Sequence, residues 1–526
     1  MSFTHVGRGV TRRHIVRAMR ISCSLVPASR EACEGIFFNI ELGTNMNDIA
    51  NIPRASQKVD DKVSRRDWLA RAGNGFGVMA LGSLLNRESA AAPTVTTSSR
   101  IPHFVPTAKA VISLFMQGGP SQVDTFDPKP ELERLKGQPL PPSFAAEGLQ
   151  LQFMPAAGAA LMPSPFAFKQ CGESGLFVSE IFSQVGQHAD RLAVIRSCHH
   201  ESFIHGPALS LMHTGSLLLG HPSVGAWVVY GLGCESDNLP AYVVMSDNSV
   251  VRNGVGCYGA GFLPAVHQGT VLRTEGAPIQ NLTPPPQFPV VQQRAILSKI
   301  EAWNRRHAAA RPDDSRLEAR IANYELAFRM QSAAPELVDL AGETAATHGL
   351  YGLGTASTER FGRMCLLARR MVERGVRYVQ LFCSDWDGHG DCAGGHRNVA
   401  AAVDHPIAGL LTDLTQRGLL DTTLVTWAGE FGRTPVMQGN QGRDHNPYGY
   451  TTWMAGGGIR GGQVIGATDE LGFRAVEDKV HVNDLHATML TLLGLDHEKL
   501  TYLFEGRNRR LTDVGGQNNF TQRLLS

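Results

Sequence analysis

Val376-Arg-Tyr-Val-Gln-Leu-Phe382 is a mostly apolar run, and Ser384-Asp385-Trp386-Asp387-Gly388-His389-Gly390-Asp391 follows it almost at once. A short apolar run rich in β-branched and aromatic residues reads as a buried strand, and a Gly-rich polar stretch behind it reads as a loop at its carboxyl end. The same arrangement recurs. Strands are expected over residues 108–116 (AKAVISLFM), 191–196 (RLAVIR), 240–245 (PAYVVM) and 422–427 (TTLVTW). Between them, apolar positions at helical spacing predict helices over 293–331, 359–374, 398–417 and 484–493. Strands alternating with helices predict an α/β fold with a mostly parallel central sheet and helices on both faces. The Pro-rich stretches 137–165 and 277–289 read as surface excursions.

In such sheets ligands bind beyond the carboxyl ends of the strands. The polar clusters fall there. Gln117-Gly-Gly-Pro-Ser-Gln-Val-Asp124 follows the first strand, and Cys198-His199-His200-Glu201-Ser202-Phe-Ile-His205 the second. Gly429-Glu430-Phe431-Gly432-Arg433 follows the strand at 422–427, with Arg443-Asp444-His445-Asn446 a little later. Carboxylates and imidazoles at several strand ends are what a divalent metal site needs, since oxygen and imidazole nitrogen together hold zinc, manganese or iron. Any one cluster is weak evidence, and an isolated Asp-x-His is more often a turn with a surface histidine. Recurrence at one edge of the sheet makes the joint signal. Two textual matches fail on physical grounds. His200-Glu201 with His205 has i, i+5 spacing, which does not put both histidines on one helix face as HExxH requires. Gly456-Gly-Gly-Ile-Arg-Gly461 lacks the βαβ context and ribose-binding acid of a dinucleotide site.

Composition narrows the classes. The chain has 526 residues, 43% apolar and 18% charged, which excludes wholesale disorder and a fibrous repeat. With 49 Lys and Arg against 48 Asp and Glu it has no basic excess for nucleic-acid binding. The balance hides an asymmetry. Residues 1–92 carry 13 basic and 8 acidic side chains, leaving +5, and the remainder carries 36 against 40, leaving −4. Within the front end, Ser64-Arg65-Arg66-Asp67-Trp68-Leu69 precedes an uncharged Gly/Ala-rich stretch and then Ser89-Ala90-Ala91-Ala92. Paired arginines, a mild apolar segment and small residues in that order predict a twin-arginine export signal, with cleavage near Ala92. The expected organisation is therefore 1–92 as an N-terminal extension with signal segment and 93–526 as one α/β domain with loop insertions, exported to the periplasm or beyond. No run reaches the length of a membrane span. Nine cysteines without a CxxC pair disfavour a zinc ribbon and read mostly as buried free thiols.

Longer stretches carry a family resemblance. QGGPSQVDTFDPKPEL, GAGFLPAVHQGT, WDGHGD, GEFGRTP, GRDHNPYGYTTWMAGGGIRGGQVIGATDE and DLHATMLTLLGLD, spread over 109–511, resemble the secreted bacterial family called domain of unknown function 1501. That family is similar to the alkaline phosphatase and sulfatase superfamily. The resemblance implies a three-layer α/β/α sandwich, alkaline-phosphatase-like, with a metal site at the strand ends. It places His205 where sulfatases carry the nucleophile and Leu209 where they carry an arginine, so formylglycine chemistry is excluded. Glu430 takes the place of a metal-binding aspartate and Phe431 that of a histidine, while Asp444 and His445 match another metal-binding pair. Asp387 and His389 resemble the acidic metal-binding segment, and Gln117 or Asp124 stands where relatives place an acid. One metal, or an altered pair, follows from these departures.

The site implied is a divalent metal (zinc, manganese or calcium) held among Asp124, Asp387, His389, Glu430, Asp444 and His445. His205 acts as ligand, general acid or nucleophile, and Arg433 clamps an anionic ester or else braces the loop by a salt bridge. Two functions from different classes remain. One is an exported metal-dependent hydrolase of sulfate or phosphate esters, with sulfated polysaccharide as a substrate class. The other is a non-catalytic exported binding protein that keeps the fold.

Overall fold

A computed structural model describes residues 101–145, 160–247, 251–274, 290–310, 315–513, 515–516 and 520–525. The proposed signal segment and the cleavage point lie outside them. All described residues belong to one compact unit, Arg87–Ser526.

The central sheet is built from β1 (Ala110–Met116), β2 (Leu192–His199), β3 (Tyr242–Ser246), β4 (Thr270–Val271), β5 (Tyr378–Cys383) and β6 (Thr423–Ala428). Two further strands, β7 (Gly432–Gln438) and β8 (Gly442–Asn446), form a separate antiparallel ribbon. The sheet is completed by β9 (Tyr450–Ala455), β10 (Gln463–Ile465) and β11 (Val480–His481). Its order is β10-β2-β9-β6-β1-β5-β3-β4, with β11 also paired to β2. Neighbours run parallel except β9, which lies antiparallel between β2 and β6. The fold is therefore α/β with a mixed, mostly parallel sheet. The strand β9 was not among the expected ones: Tyr450-Thr-Thr-Trp-Met-Ala455 mixes polar and apolar positions, yet every residue of it is buried.

Burial explains the three layers. Along β1, Ala110, Ile112, Leu114 and Met116 join one apolar cluster while Val111 and Phe115 join another, the two-residue alternation of a strand covered on both faces. The first cluster is closed by α5 (Glu359–Glu373) and α6 (Cys392–Gln416) through residues such as Met364, Leu367, Val403 and Leu410. The second is closed by α1 (His205–Thr214), α2 (Val224–Leu232) and α7 (Val482–Leu492) through Leu209, Trp227, Val228 and Leu490. The helical stretch expected over 293–331 is two helices, α3 (Val290–Ala309) and α4 (Ser315–Val338). The helix expected from 398 begins earlier: the Asp391 side chain accepts from Gly394 N at 2.8 Å and caps α6 directly behind the Asp387 loop. Two glycines in the first turn hid this start. The seven described cysteines are free thiols, five of them buried, and no described helix is long and apolar enough to cross a membrane.

Candidate metal centre

The site is assembled where β1, β2, β5 and β6 end and β9 begins. Gln117 N donates to Cys383 O at 2.7 Å and Trp386 N to Gln117 O at 3.1 Å, pinning the loop after β5 to the end of β1. Gly118 has φ 114°, and a Cβ there would lie 2.5 Å from Asp387 N, so only glycine allows this approach. Trp386 is fully buried, stacked on Phe182 with ring centroids 6.1 Å apart. It anchors the loop, and Asp387 emerges beside it half-exposed.

Three imidazoles converge on Asp387. His389 Nε2 lies 3.0 Å from Oδ1 and His445 Nε2 lies 3.3 Å from it. His205 Nε2, in the first turn of α1, lies 3.1 Å from Oδ2. The Nε2 atoms of His389 and His445 are themselves 2.9 Å apart. Each ring is held from behind through Nδ1. His445 Nδ1 donates to Phe203 O at 2.8 Å, His389 Nδ1 to Gln438 Oε1 at 2.6 Å, and His205 Nδ1 to Glu430 Oε1 at 2.6 Å. An oxygen that can only accept fixes the hydrogen on Nδ1, so the neutral rings turn Nε2 lone pairs toward one another and toward a carboxylate. At 2.9 Å at most one of the two facing nitrogens carries a hydrogen. Ligand atoms of His205, Asp387, His389 and His445 all lie within 4.8 Å of one another. Four tetrahedral ligands at about 2.1 Å from an ion sit roughly 3.4 Å apart, close to these spacings. Three imidazoles plus one carboxylate, each imidazole oriented by an outer oxygen, fit a divalent transition ion or zinc. They do not fit calcium, which takes oxygen ligands.

The electrostatics agree. Burial works against the Asp387 charge, yet hydrogen bonds from His205, His389 and His445 and the nearby Arg433 hold its carboxyl far below the usual range. Burial opposes charge on His205 too, but Asp387 and Glu430 raise it above the ordinary value. Asp387 likewise raises His389, while burial lowers His445. Protons on these nitrogens and a cation shared by them are alternative ways to match the same carboxylate.

The other expected site residues sit elsewhere or behind this group. Glu430 is fully buried; both its oxygens accept from Gly118 N, at 2.8 and 3.0 Å, and it touches the cluster through His205. Arg433 is also fully buried. Its guanidinium donates to Gly119 O, Arg443 O, Gly118 O and Asp387 Oδ1, so it braces the Asp387 loop with no face open to an incoming ester. Asp124 is buried in a two-point pair with Arg443, at 2.8 and 3.1 Å, and has no part in the cluster. Asp444 accepts from His445 N at 2.8 Å and likewise lies outside it. The ladder between β7 and β8 shifts register between Arg443 and His445, and these two side chains serve Asp124 and Asp387 respectively. Phe431 stacks on His445 at 4.3 Å and tilts over His205 at 5.0 Å, walling both rings. His200 Nε2 donates to Glu430 O, and burial pushes the ring down to about 4, so it is a neutral brace.

Two residues were not expected. Gln438 orients His389. Arg252 reaches Asp387 Oδ2 at 3.4 and 3.5 Å with a side chain 43% exposed, and its backbone N donates to Gln117 Oε1 at 2.9 Å.

Comparison with known proteins gives a family and distant structural likenesses. The family model described as "Protein of unknown function (DUF1501)" matches residues 108–522. No curated protein matches the chain. Among solved structures, the PsFucS1 sulfatase from Pseudoalteromonas sp. is 13% identical, covering 83% of this chain and 73% of its own, with a TM-score of 0.32. The alkaline phosphatase from the Antarctic bacterium TAB5 is 9% identical, covering 74% and 99%, with a TM-score of 0.31. A protein in the alkaline phosphatase superfamily from Vibrio parahaemolyticus is 9% identical, covering 80% and 76%, with a TM-score of 0.33.

Proposed function

The chain belongs to the DUF1501 family of proteins of unknown function, and from that premise we propose that it is an exported, metal-dependent hydrolase of sulfate or phosphate esters. One observation carries the reading: three imidazoles, each fixed through Nδ1 by an oxygen, present Nε2 to the Asp387 carboxylate. His205, Asp387, His389 and His445 are the proposed ligands of one divalent ion, zinc or manganese being the best match to imidazole-rich ligands. An ion held there supplies a lowered pKa for bound water and positive charge for the sulfuryl or phosphoryl oxygens.

The chain's own residues do the rest. Glu430 keeps His205 in one tautomer and one orientation. Both ring nitrogens of His205 are committed, Nδ1 to Glu430 and Nε2 to Asp387, which favours a ligand role over a covalent nucleophile. Arg433 holds Asp387 in place. Arg252, 43% exposed beside Asp387, is the side chain suited to receive the ester's anion, one of the two roles expected of Arg433. Phe431 shields the rings from bulk water on one side. Export through the twin-arginine segment ahead of Ala92, with 93–526 as one domain, completes the proposal; it rests on the order Arg65-Arg66, apolar segment, Ala90–92. The second reading, a non-catalytic exported binding protein that keeps the fold, is favoured by the full commitment of Arg433 to the protein itself.

Metal analysis of the full chain after zinc- or manganese-replete expression tests the site. About one ion per chain is expected, with chelator-sensitive hydrolysis of aryl phosphates or aryl sulfates restored by the ion. Lack of stoichiometric zinc or manganese, both on purification and on titration, overturns the proposal. Bound metal without turnover of any ester supports the non-catalytic reading.

A further inference from the structure

The helix α1 begins at the metal centre with His205 and ends at Gly215, whose φ of 71° turns the chain into Ser216-Leu217-Leu218-Leu219-Gly220. Leu218 and Leu219 are each 71% exposed, and Ile204, just ahead of His205, is 50% exposed. Single exposed leucines are ordinary, but adjacent ones at this level usually mark a contact surface. A second segment joins the metal centre to the leucines. Arg252 faces Asp387 Oδ2, and Asn253 Nδ2 donates to Gly206 O at 2.6 Å and to Ser210 Oγ at 3.4 Å, fastening the segment along α1. The 3-10 turn Gly254–Cys257 follows, with Val255 60% exposed. A Cβ at Gly256 would lie 3.3 Å from Leu219 Cδ2, so the segment reaches the leucine loop. At about 2 Å per residue, the backbone from Arg252 to Gly256 spans roughly 8 Å.

The two segments that carry this surface hold formal charge at one point. From Ser202 to Gly220 and from Val251 to Leu272 the sequence contains no Lys, Asp or Glu, and a single Arg, Arg252. A polysulfated sugar chain presents several anions and many hydroxyls, and would be met by several cations and polar side chains. Here one cation stands at the metal end and apolar surface extends away from it. From this complementarity we infer that the site takes an amphiphilic monoester of phosphate or sulfate. Its single anionic head is met by Arg252 and by the ion proposed at the Asp387 cluster, and its alkyl or arylalkyl group lies over the exposed faces of Val255, Leu218 and Leu219. The inference rests on the proposed function for the head of the ester and adds the class of its organic half. The occupant is a free single-chain amphiphile, not a membrane surface.

Calorimetry on the zinc-loaded full chain with methyl, hexyl and decyl phosphate, each below its micelle concentration, reads binding independently of turnover. Complete burial of a methylene corresponds to about fourfold in affinity, so even partial burial gives at least a tenfold gain from methyl to hexyl. The double variant L218S/L219S, altered at two highly exposed positions, flattens that dependence while keeping the zinc stoichiometry, and R252Q weakens all three esters alike. Equal affinity across chain lengths overturns the inference, as does a gradient that survives in L218S/L219S or binding of the decyl ester only within vesicles. The gradient without hydrolysis of any ester breaks the hydrolase reading and keeps this one; hydrolysis without the gradient does the reverse.

Discussion

Asp124 and Asp387 follow strands of the same sheet and each meets a buried arginine, yet the two carboxylates are satisfied in opposite ways. Asp124 is buried, and Arg443 takes both its oxygens. The arginine's remaining donors go to Thr434 O and Pro163 O. Nothing is left for a ligand to do. Asp387 is half-exposed, and its oxygens are divided among Arg433, Arg252 and three imidazole Nε2 atoms. Imidazole nitrogens satisfy a carboxylate only by carrying protons or by sharing a cation with it. A carboxylate with both oxygens taken by one resident guanidinium builds the fold; one shared between a guanidinium and three titratable rings is the proposed ligand.

The largest test of that contrast is a pair of alanine variants unfolded with and without chelator. Asp124→Ala leaves the Arg443 guanidinium buried without its countercharge and costs about 3–5 kcal/mol, with or without metal. Asp387→Ala lies in a more solvated place, so its metal-free form loses much less. What it loses is the metal-dependent part, about 2.7 kcal/mol in the wild type when free ion stands at 100 times Kd. Equal losses for the two variants in chelator break the contrast. So does a wild-type stability that chelator leaves unchanged at that ion concentration.

Glu430→Gln sharpens it further. Glu430 touches the proposed ion site only through His205, and loss of such an outer partner is expected to lower metal affinity about 10- to 100-fold. Calorimetric titration with zinc reads this directly. Complete loss of binding instead identifies Glu430 as a ligand in its own right, and unchanged binding removes it from the site.

Much of this was legible in the sequence because strand ends advertise themselves. The apolar runs at 376–382 and 422–427 are followed at once by the residues that meet in space, and His205, Asp387, His389 and His445 were all among the expected ones. What one dimension cannot tell is which acid faces an arginine and which faces imidazoles. Asp124 and Arg443 are 319 residues apart, and nothing local to either marks the pairing. For Arg433 the sequence left an anion clamp and a loop-bracing salt bridge open, and its burial among Gly118 O, Gly119 O, Trp386 O, Arg443 O and Asp387 Oδ1 is the second of these. β9 escaped because Thr451 and Thr452 interrupt its apolar pattern; their burial is a tertiary outcome. Arg252 does carry a signal: it is the lone charge in a long uncharged stretch. Gln438 carried none.

The smallest effect is a pH dependence on the closed side of the comparison. His396 is buried near Asp124; its Nε2 accepts from Ser121 N at 2.8 Å and Cys392 Sγ lies 3.5 Å from its Nδ1. Burial is the chief cause that pushes it down to about 4, with Arg433 and Arg443 adding to the shift and Asp124 opposing it. In the unfolded chain the ring titrates near its ordinary value of about 6.5. As pH falls between about 6.5 and 4 the unfolded state binds a proton that the folded state refuses, so stability is full above this window and is lost through it. The slope is roughly 1.4 kcal/mol per pH unit for this one group. On the open side the sign reverses. His389 is raised by Asp387, so in the metal-free chain its contribution is present in acid and fades as pH rises through its folded value. His396→Gln keeps an acceptor for Ser121 N and removes the titration. In chelator, the variant's stability relative to wild type is expected to improve steadily from pH 6.5 to 4.5. A difference that stays flat across that window places the acid sensitivity of the fold somewhere other than His396.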